Sequence, residues 1–225
     1  MTSTADIPTL DDLPQHVLLQ GISWEVYEAL LREVGDQNLR LTYDSGELEI
    51  MSPLPEHEDW KKAIGGLVEI LTLELNIPMR RLGSTTFRQK TLQKGLEPDE
   101  CYYVANEAAV RGKRRFDLRR DPPPDLVVEI DITHRAIDRE KIYAAMGVPE
   151  IWRFDGRRLA CLHLEPRATG GKGKPWAYRE ADKSLAFPFL RPADLMKFLK
   201  KLPNAELTSL MRSFRDWVLR AFAEK

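Results

Sequence analysis

Apolar residues recur at intervals of three and four along several parts of the chain, which is the spacing of amphipathic helices. After a break at Pro53 to Pro55, one such stripe runs from Trp60 to Leu75 and predicts a long helix. The helices predicted by this spacing cover residues 24–34, 60–75, 137–146, 194–202 and 207–222. Because the helix at 60–75 carries one apolar stripe, we expect it to pack on a sheet.

Other segments alternate between apolar and polar residues, as half-buried strands do. Residues 39–50 alternate on both sides of Asp44-Ser45-Gly46, which predicts a hairpin. Further strands are predicted at 83–92, 99–104, 126–130, 150–154, 159–164, 176–179 and 184–187. Strands and helices interleaved in this way indicate an α/β fold with a mixed (α+β type) sheet, flanking helices and a C-terminal helical extension.

The chain has 225 residues, enough for one substantial hydrophobic core. Residues 1–16 are polar with scattered prolines and are interpreted as a flexible leader, and 169–174 as a flexible loop. Residues 17–190 form the predicted main domain. Residues 191–225 form the helical extension, whose apolar faces cover either this domain or a second subunit of a homodimer.

The charge balance, the cysteines and the lengths of the apolar runs limit the classes of protein to which this chain can belong. Lysine and arginine total 34 against 35 acidic residues, so any contact with nucleic acid has to use local basic patches. The two cysteines, Cys101 and Cys161, are far apart and outside any CxxC pattern, which argues against a disulfide scaffold and a thiolate zinc site. The chain shows neither a signal-peptide pattern nor an apolar run of about 20 residues. We therefore expect a soluble cytoplasmic protein without membrane contact.

Basic side chains concentrate in one polar stretch and in the strands before it. They are interpreted either as a phosphate-binding patch or as a solvated loop. These residues are Arg80, Arg81, Arg88, Lys90, Lys94, Arg111, Lys113, Arg114, Arg115, Arg119 and Arg120.

Two carboxylates stand out as candidates for chemistry. Asp99 follows Pro98 at the entrance of a predicted strand, although Pro-Asp pairs are also common in surface turns. Alternation places Glu129 and Asp131 on one side of an apolar strand. A carboxylate on a strand suited to burial requires a proton, a hydrogen-bonding partner or a cation. A metal ion would satisfy this requirement, as would a salt bridge from Glu129 to Arg119, Arg120 or Arg135.

Residues 39–164 resemble the Uma family of restriction endonucleases, a branch of the PD-(D/E)XK nuclease superfamily. No single motif is specific, but their order and spacing are. The motifs are Gly46 to Pro53 with His57, Pro98-Asp99, Pro124 to Ile130, Asp138, Lys141, Tyr143 and Gly147 to Trp152. The resemblance implies a restriction endonuclease-like fold.

By the same resemblance, Asp99 corresponds to the metal-binding aspartate of the superfamily and Glu129 to its second acidic ligand. The implied cofactor is Mg²⁺ or Mn²⁺. The implied activity is metal-dependent hydrolysis of phosphodiester bonds, with DNA as the expected substrate.

The chain departs from the superfamily pattern at one position. A lysine is expected two residues after the second acid, and Asp131 stands there instead. Either Lys141 on the next helix supplies the ammonium group, or Asp131 adds a third carboxylate to the metal. His57 begins a helix and is interpreted as a structural hydrogen-bond partner or as a base.

The missing lysine keeps a second class of function open. A catalytically degenerate member would retain the fold as a nucleic-acid-binding or assembly module. Lys141 as an ordinary exposed helix residue would fit that interpretation, whereas the retained acids favour the enzyme.

Overall fold

The computed structural model describes residues 16–35, 37–132, 135–166 and 176–222. The predicted leader therefore lies outside the described residues, except for His16, as does the predicted loop at 169–174. Within the described part, no helix is long and apolar enough to cross a membrane.

Among the described residues, six α-helices form where the sequence provides an apolar face and suitable ends. They are α1 (Trp24–Val34), α2 (Pro55–Glu74), α3 (Glu107–Val110), α4 (Arg139–Met146), α5 (Pro192–Leu199) and α6 (Leu207–Phe222). The side chain of Ser23 accepts a hydrogen bond from the Val26 amide at the start of α1. Asp138 caps α4 in the same way, and Gly147 ends that helix with φ at 77°. Apart from the short α3, these are the five helices expected from the sequence.

Eleven strands form two sheets in the described part of the chain. The first sheet is antiparallel and contains β1 (His16–Leu19), β2 (Arg40–Asp44), β3 (Glu47–Met51), β5 (Phe87–Gln89) and β6 (Lys94–Leu96), in the order β1-β3-β2-β6-β5. The second contains β4 (Arg80–Arg81), β7 (Glu100–Tyr103), β8 (Leu126–Ile130), β9 (Glu150–Phe154), β10 (Leu159–Pro166) and β11 (Trp176–Ala181), in the order β11-β10-β9-β8-β7-β4. The β8–β9 pair is parallel, since helix α4 connects the two strands.

Apolar side chains of β8 point to both faces of the second sheet. Val128 joins a core cluster with Leu67 of α2 and Phe214 of α6. Val127 joins a separate cluster with Ile142 of α4. The second sheet therefore has helices on both faces, and β8 is its most deeply buried strand.

The C-terminal helices pack on the domain that precedes them. Leu195 of α5 and Phe214 of α6 are almost completely buried in the core cluster that contains β8. This packing corresponds to the first of the two arrangements expected from the sequence. Association of two copies remains a prediction that light scattering would test.

Three details differ from the sequence-based expectation. The predicted single sheet is two sheets, and β1 was not expected. The predicted strand at 184–187 is absent from this described segment, which forms bends. The reason is that the amides of Leu185 and Ala186 donate to the carboxylate of Glu150 instead of to a neighbouring strand.

Candidate active site

Asp99 and Glu129 come together because their strands are neighbours. Asp99 directly precedes β7, and Glu129 lies in β8, which pairs with β7 in antiparallel register. The backbone amide of Ile130 donates to Asp99 Oδ2 at 2.7 Å. Both side chains are buried, with 1% and 5% of their surface exposed. The fold thus brings two carboxylates into one buried site.

Arg135 bridges the two acids. Its Nη2 lies 3.1 Å from Asp99 Oδ2, and its Nη1 lies 2.8 Å from Glu129 Oε2. The same guanidinium donates to the carbonyl oxygen of Ile130 at 2.8 Å. The sequence-based alternative of an ion pair between Glu129 and Arg135 is therefore confirmed, and Arg135 contacts Asp99 as well.

The other oxygen of Glu129 is held by helix α4. Arg139 Nη2 lies 2.9 Å from Glu129 Oε1, and the Tyr143 hydroxyl donates to the same oxygen. Arg139 and Tyr143 are four residues apart, so both side chains project from one face of α4. Arg139 also donates to the carbonyl oxygen of Glu97, close to Asp99 in the chain.

His57 contacts the site from the first turn of α2. Its Nε2 lies 3.2 Å from Asp99 Oδ2, and the ring is only 2% exposed. A buried imidazole in contact with a carboxylate orients that carboxylate and is itself held in place. This contact fits the interpretation of His57 as a structural partner of Asp99.

Glu49 has a positioning contact that the sequence alone did not reveal. Its side chain is 3% exposed and accepts a hydrogen bond from the Ala136 amide at 2.7 Å. This bond ties strand β3 to the backbone just after Arg135. Arg139 and Tyr143 were also missed as partners of Glu129, although their spacing of one helical turn was visible in the sequence.

The two carboxylates differ in how readily they ionise. Burial opposes ionisation of Asp99, but Arg135 and His57 outweigh it and hold the pKa of Asp99 below its usual range. Burial raises the pKa of Glu129, although Arg139 and Arg135 act in the opposite direction. Asp99 therefore ionises more readily than Glu129.

Two predicted residues lie at the margin of this group. Asp131 is 38% exposed at its side chain, and its Oδ1 lies 3.8 Å from Arg135 Nε. The Lys141 side chain is 65% exposed, with Nζ 3.0 Å from Asp138 Oδ2. Asp131 lines a cavity of about 300 Å³ beside Glu129, whereas Lys141 is not among its lining residues. The structure thus groups Asp99, Glu129 and His57, and leaves Lys141 outside.

The donor set of this site suits a hard divalent cation. Asp99 Oδ1 is buried and accepts no hydrogen bond from the described residues, whereas buried Glu129 Oε2 has the Arg135 guanidinium as its ion-pair partner at 2.8 Å. Buried carboxylate oxygens that lack hydrogen bonds favour a cation, and carboxylates are the usual protein ligands of Mg²⁺ and Mn²⁺. Arg135 now supplies positive charge to these groups and would compete with a metal for Glu129 Oε2.

A basic groove lies near the site. It has a volume of about 780 Å³ and includes Glu97, two positions before Asp99, in its lining. Its arginines are Arg32, Arg40, Arg88, Arg114 and Arg115. Within the described part of the chain, Arg32, Arg114 and Arg115 have no ion-pair partner, in contrast to Arg40 and Arg88.

Most of the other basic residues noted in the sequence have structural partners. Arg80 donates to the backbone carbonyl oxygens of Val110 and Lys113. Acidic side chains pair with Arg81, Lys90, Lys94, Arg111, Lys113 and Arg119. Most of these basic side chains are therefore engaged within the protein, and the groove arginines are the stronger candidates for phosphate contacts.

Comparison with known proteins identifies the class as nuclease. The model of the Uma2 family, described as "Putative restriction endonuclease", matches residues 24–190. This match spans most of the chain, and the protein belongs to the Uma2 family. It confirms the resemblance inferred from the motifs.

A solved structure is also similar to this chain. It is described as a "putative nuclease" from Anabaena variabilis, with 12% sequence identity and a TM-score of 0.42. The alignment covers 76% of this chain and 90% of that chain. No curated protein matches the chain.

Proposed function

We propose that this protein is a metal-dependent endonuclease that hydrolyses phosphodiester bonds in DNA. The observation that carries the proposal is the pairing of two buried carboxylates, Asp99 and Glu129, of which Asp99 Oδ1 accepts no hydrogen bond from the described residues. Membership of the Uma2 family supports the same class of activity.

In this proposal Asp99 and Glu129 hold Mg²⁺ or Mn²⁺, which when bound supplies Lewis-acid chemistry to the scissile phosphate. His57 orients Asp99 through the 3.2 Å contact. Arg139 and the Tyr143 hydroxyl fix Glu129 through Oε1, so the metal would bind Oε2 in place of Arg135. These contacts would limit the reorganisation that metal binding requires.

Lys141 is proposed as the assisting cation in place of the absent motif lysine. Its contact with Asp138 is on an exposed surface, and such ion pairs contribute only about 0–1 kcal/mol. Breaking the contact would therefore cost little when substrate binds. Asp131, at the edge of the cavity beside Glu129, is proposed as an accessory acid.

The groove near Glu97 is the proposed path of the nucleic acid. Arg32, Arg114 and Arg115 line it without acidic partners among the residues that the structure describes, so their charges are available for phosphates. Cys101 and Cys161 are buried free thiols, which supports a reducing compartment such as the cytoplasm.

The test is nicking of supercoiled plasmid with Mg²⁺, with Mn²⁺ and with EDTA. Wild type is compared with Glu129→Ala and with Glu140→Ala, an acidic residue of α4 that pairs with Arg153 outside the proposed ligand set. We expect metal-dependent cleavage by wild type and Glu140→Ala, and a loss of at least about 100-fold in Glu129→Ala, in line with removal of a group essential to catalysis. Equal cleavage by all three proteins would contradict the proposed site.

A second candidate function is a nucleic-acid-binding or assembly module without cleavage. The observation that favours it is the pair of arginines on the acids, because Arg135 and Arg139 neutralise the charge that a metal would otherwise neutralise. Folded wild type that binds plasmid DNA but leaves it intact with either metal would favour this function over the enzyme.

A further inference from the structure

A second group of potential metal ligands lies on strands β9 and β10. Glu150 begins β9 and is paired in register with His163 of β10. Cys161 and His163 are two residues apart on one strand, so their side chains share a face of the sheet. One ligand atom from each of Glu150, Cys161 and His163 lies within 4.8 Å of the others.

The distances around the Cys161 thiol resemble those of a tetrahedral metal site. Sγ lies 3.2 Å from Glu150 Oε1, 3.5 Å from His163 Nε2 and 3.5 Å from the carbonyl oxygen of Lys183. Ligands of tetrahedral zinc, at about 2.3 Å for sulfur and 2.0 Å for nitrogen or oxygen, are separated by about 3.5 Å. A thiol has only one proton and can donate to only one of these three acceptors.

The charge of Glu150 gives an independent reason for a cation. Its side chain is 0% exposed. It accepts hydrogen bonds from neutral donors of Trp152, Ser184, Leu185 and Ala186. The ion pairs of the described residues do not include Glu150, in contrast to Glu129. A buried carboxylate without a cationic partner is costly, so this position favours a positive charge.

We propose that Glu150, Cys161 and His163 form a binding site for a borderline-soft divalent cation of the zinc type. The metal–sulfur bond forms as the S–H bond of Cys161 breaks, and the proton leaves to solvent. One carboxylate and one thiolate then balance the two positive charges. His163 is only partly buried, which leaves a route from solvent.

The chemistry of this site differs from that of Asp99 and Glu129. Sulfur and imidazole ligands select zinc-type ions, whereas a site with carboxylates alone suits Mg²⁺ or Mn²⁺. The metal would also join β9 and β10 to the segment around Lys183, which contributes a carbonyl oxygen beside the thiol. Its role is therefore structural.

The experiment is a titration of reduced, metal-free, full-length protein with Co²⁺, followed by the thiolate-to-cobalt charge-transfer absorption and the visible bands of tetrahedral cobalt. The variants are Cys161→Ser and His163→Gln. The controls are Cys101→Ser, which removes the other buried thiol, and Glu129→Ala, which alters the acidic site. Circular dichroism establishes that each variant is folded.

We expect one equivalent of Co²⁺ to produce the charge-transfer band in wild type and in both controls, and Zn²⁺ to abolish it by displacement. Cys161→Ser should lack the band, and His163→Gln should bind Co²⁺ at least about tenfold more weakly. If Cys161→Ser does not fold, the His163→Gln variant tests the proposal. Its substitution is expected to leave the protein folded, because His163 is partly exposed. Absence of the band in folded wild type, its loss in Cys101→Ser, or unchanged affinity in His163→Gln would overturn the proposal.

Discussion

Arg135 Nη2 lies 3.1 Å from Asp99 Oδ2, although the two residues are 36 positions apart in the chain. The guanidinium supplies positive charge to a carboxylate that is 1% exposed. It does so at the site where the proposed metal ion would bind. The contact therefore links the stability of the metal-free protein to its affinity for metal.

Replacing Arg135 by glutamine should strengthen metal binding. The substitution removes the cation that competes for Glu129 Oε2, and we expect the Mn²⁺ dissociation constant to fall about tenfold, equivalent to about 1.4 kcal/mol. Calorimetric titration with Mn²⁺ measures the change. Arg157→Gln, the same substitution in an exposed turn, serves as the control. Unchanged or weaker binding in Arg135→Gln would show that Arg135 does not compete with the metal.

Replacing Arg139 by methionine should destabilise the fold. The change leaves Glu129 with one fewer buried positive charge, and loss of one partner from a buried ion pair costs about 3–5 kcal/mol. Urea unfolding measures the free energy of unfolding without added metal. Arg153→Met is the matched control, because its ion pair with Glu140 is partly exposed and contributes about 0–1 kcal/mol. Equal losses in the two variants would contradict the importance of the buried pair.

Gly95 is required because the ring of Tyr27 packs directly against it. A Cβ at position 95 would lie 2.7 Å and 2.8 Å from two ring carbons of Tyr27. Tyr27 cannot move aside easily, since it stacks on Tyr43 with ring centroids 4.8 Å apart. We expect Gly95→Ala to lower the free energy of unfolding by about 1–3 kcal/mol, measured by urea unfolding.

The control for Gly95→Ala is the same substitution at Gly66 in α2. There the new Cβ would approach the terminal methyl group and the sulfur of Met211, at the flexible end of that side chain. Alanine also gains about 1 kcal/mol over glycine within a helix, so Gly66→Ala should be neutral or stabilising. A larger loss at Gly66 than at Gly95 would refute the explanation.

The groove arginines should determine the salt dependence of DNA binding. Replacing both Arg114 and Arg115 by glutamine removes two phosphate contacts, and the slope of log affinity against log salt should become shallower by about 2. Fluorescence anisotropy with a labelled duplex at several salt concentrations gives this slope. The control replaces Arg111 and Arg119, which are exposed but paired with acids. A slope identical to wild type in the Arg114 and Arg115 variant would exclude this groove as the binding path.

Local pattern was sufficient for much of the fold, whereas the choice of the two acids came from the family resemblance. The three-and-four spacing predicted α1 and α6 with the bounds that the structure shows, Trp24–Val34 and Leu207–Phe222. Alternation correctly separated Val127 from Val128, which lie in different core clusters. These predictions succeed because periodicity depends on residues that are neighbours in the chain.

Other features depended on contacts between distant segments. The segment at 184–187 resembled a strand, but the amides of Leu185 and Ala186 donate hydrogen bonds to the carboxylate of Glu150 instead of to a strand. The spacing of the two cysteines did not indicate the group around Cys161, because two of its three partners, Glu150 and the Lys183 carbonyl, come from other segments. Such contacts have no periodic signature.

The sequence by itself determined the five longer helices, the hairpin and the family, and it proposed Asp99 and Glu129 as a pair. Only the tertiary structure decided that Arg135 and Arg139 hold those acids and that Lys141 lies apart from them. The physical reason is the separation along the chain of the residues that interact. Helix and strand periods arise between near neighbours, whereas a buried charge is satisfied by whichever side chains the packing of the whole domain brings within about 3 Å.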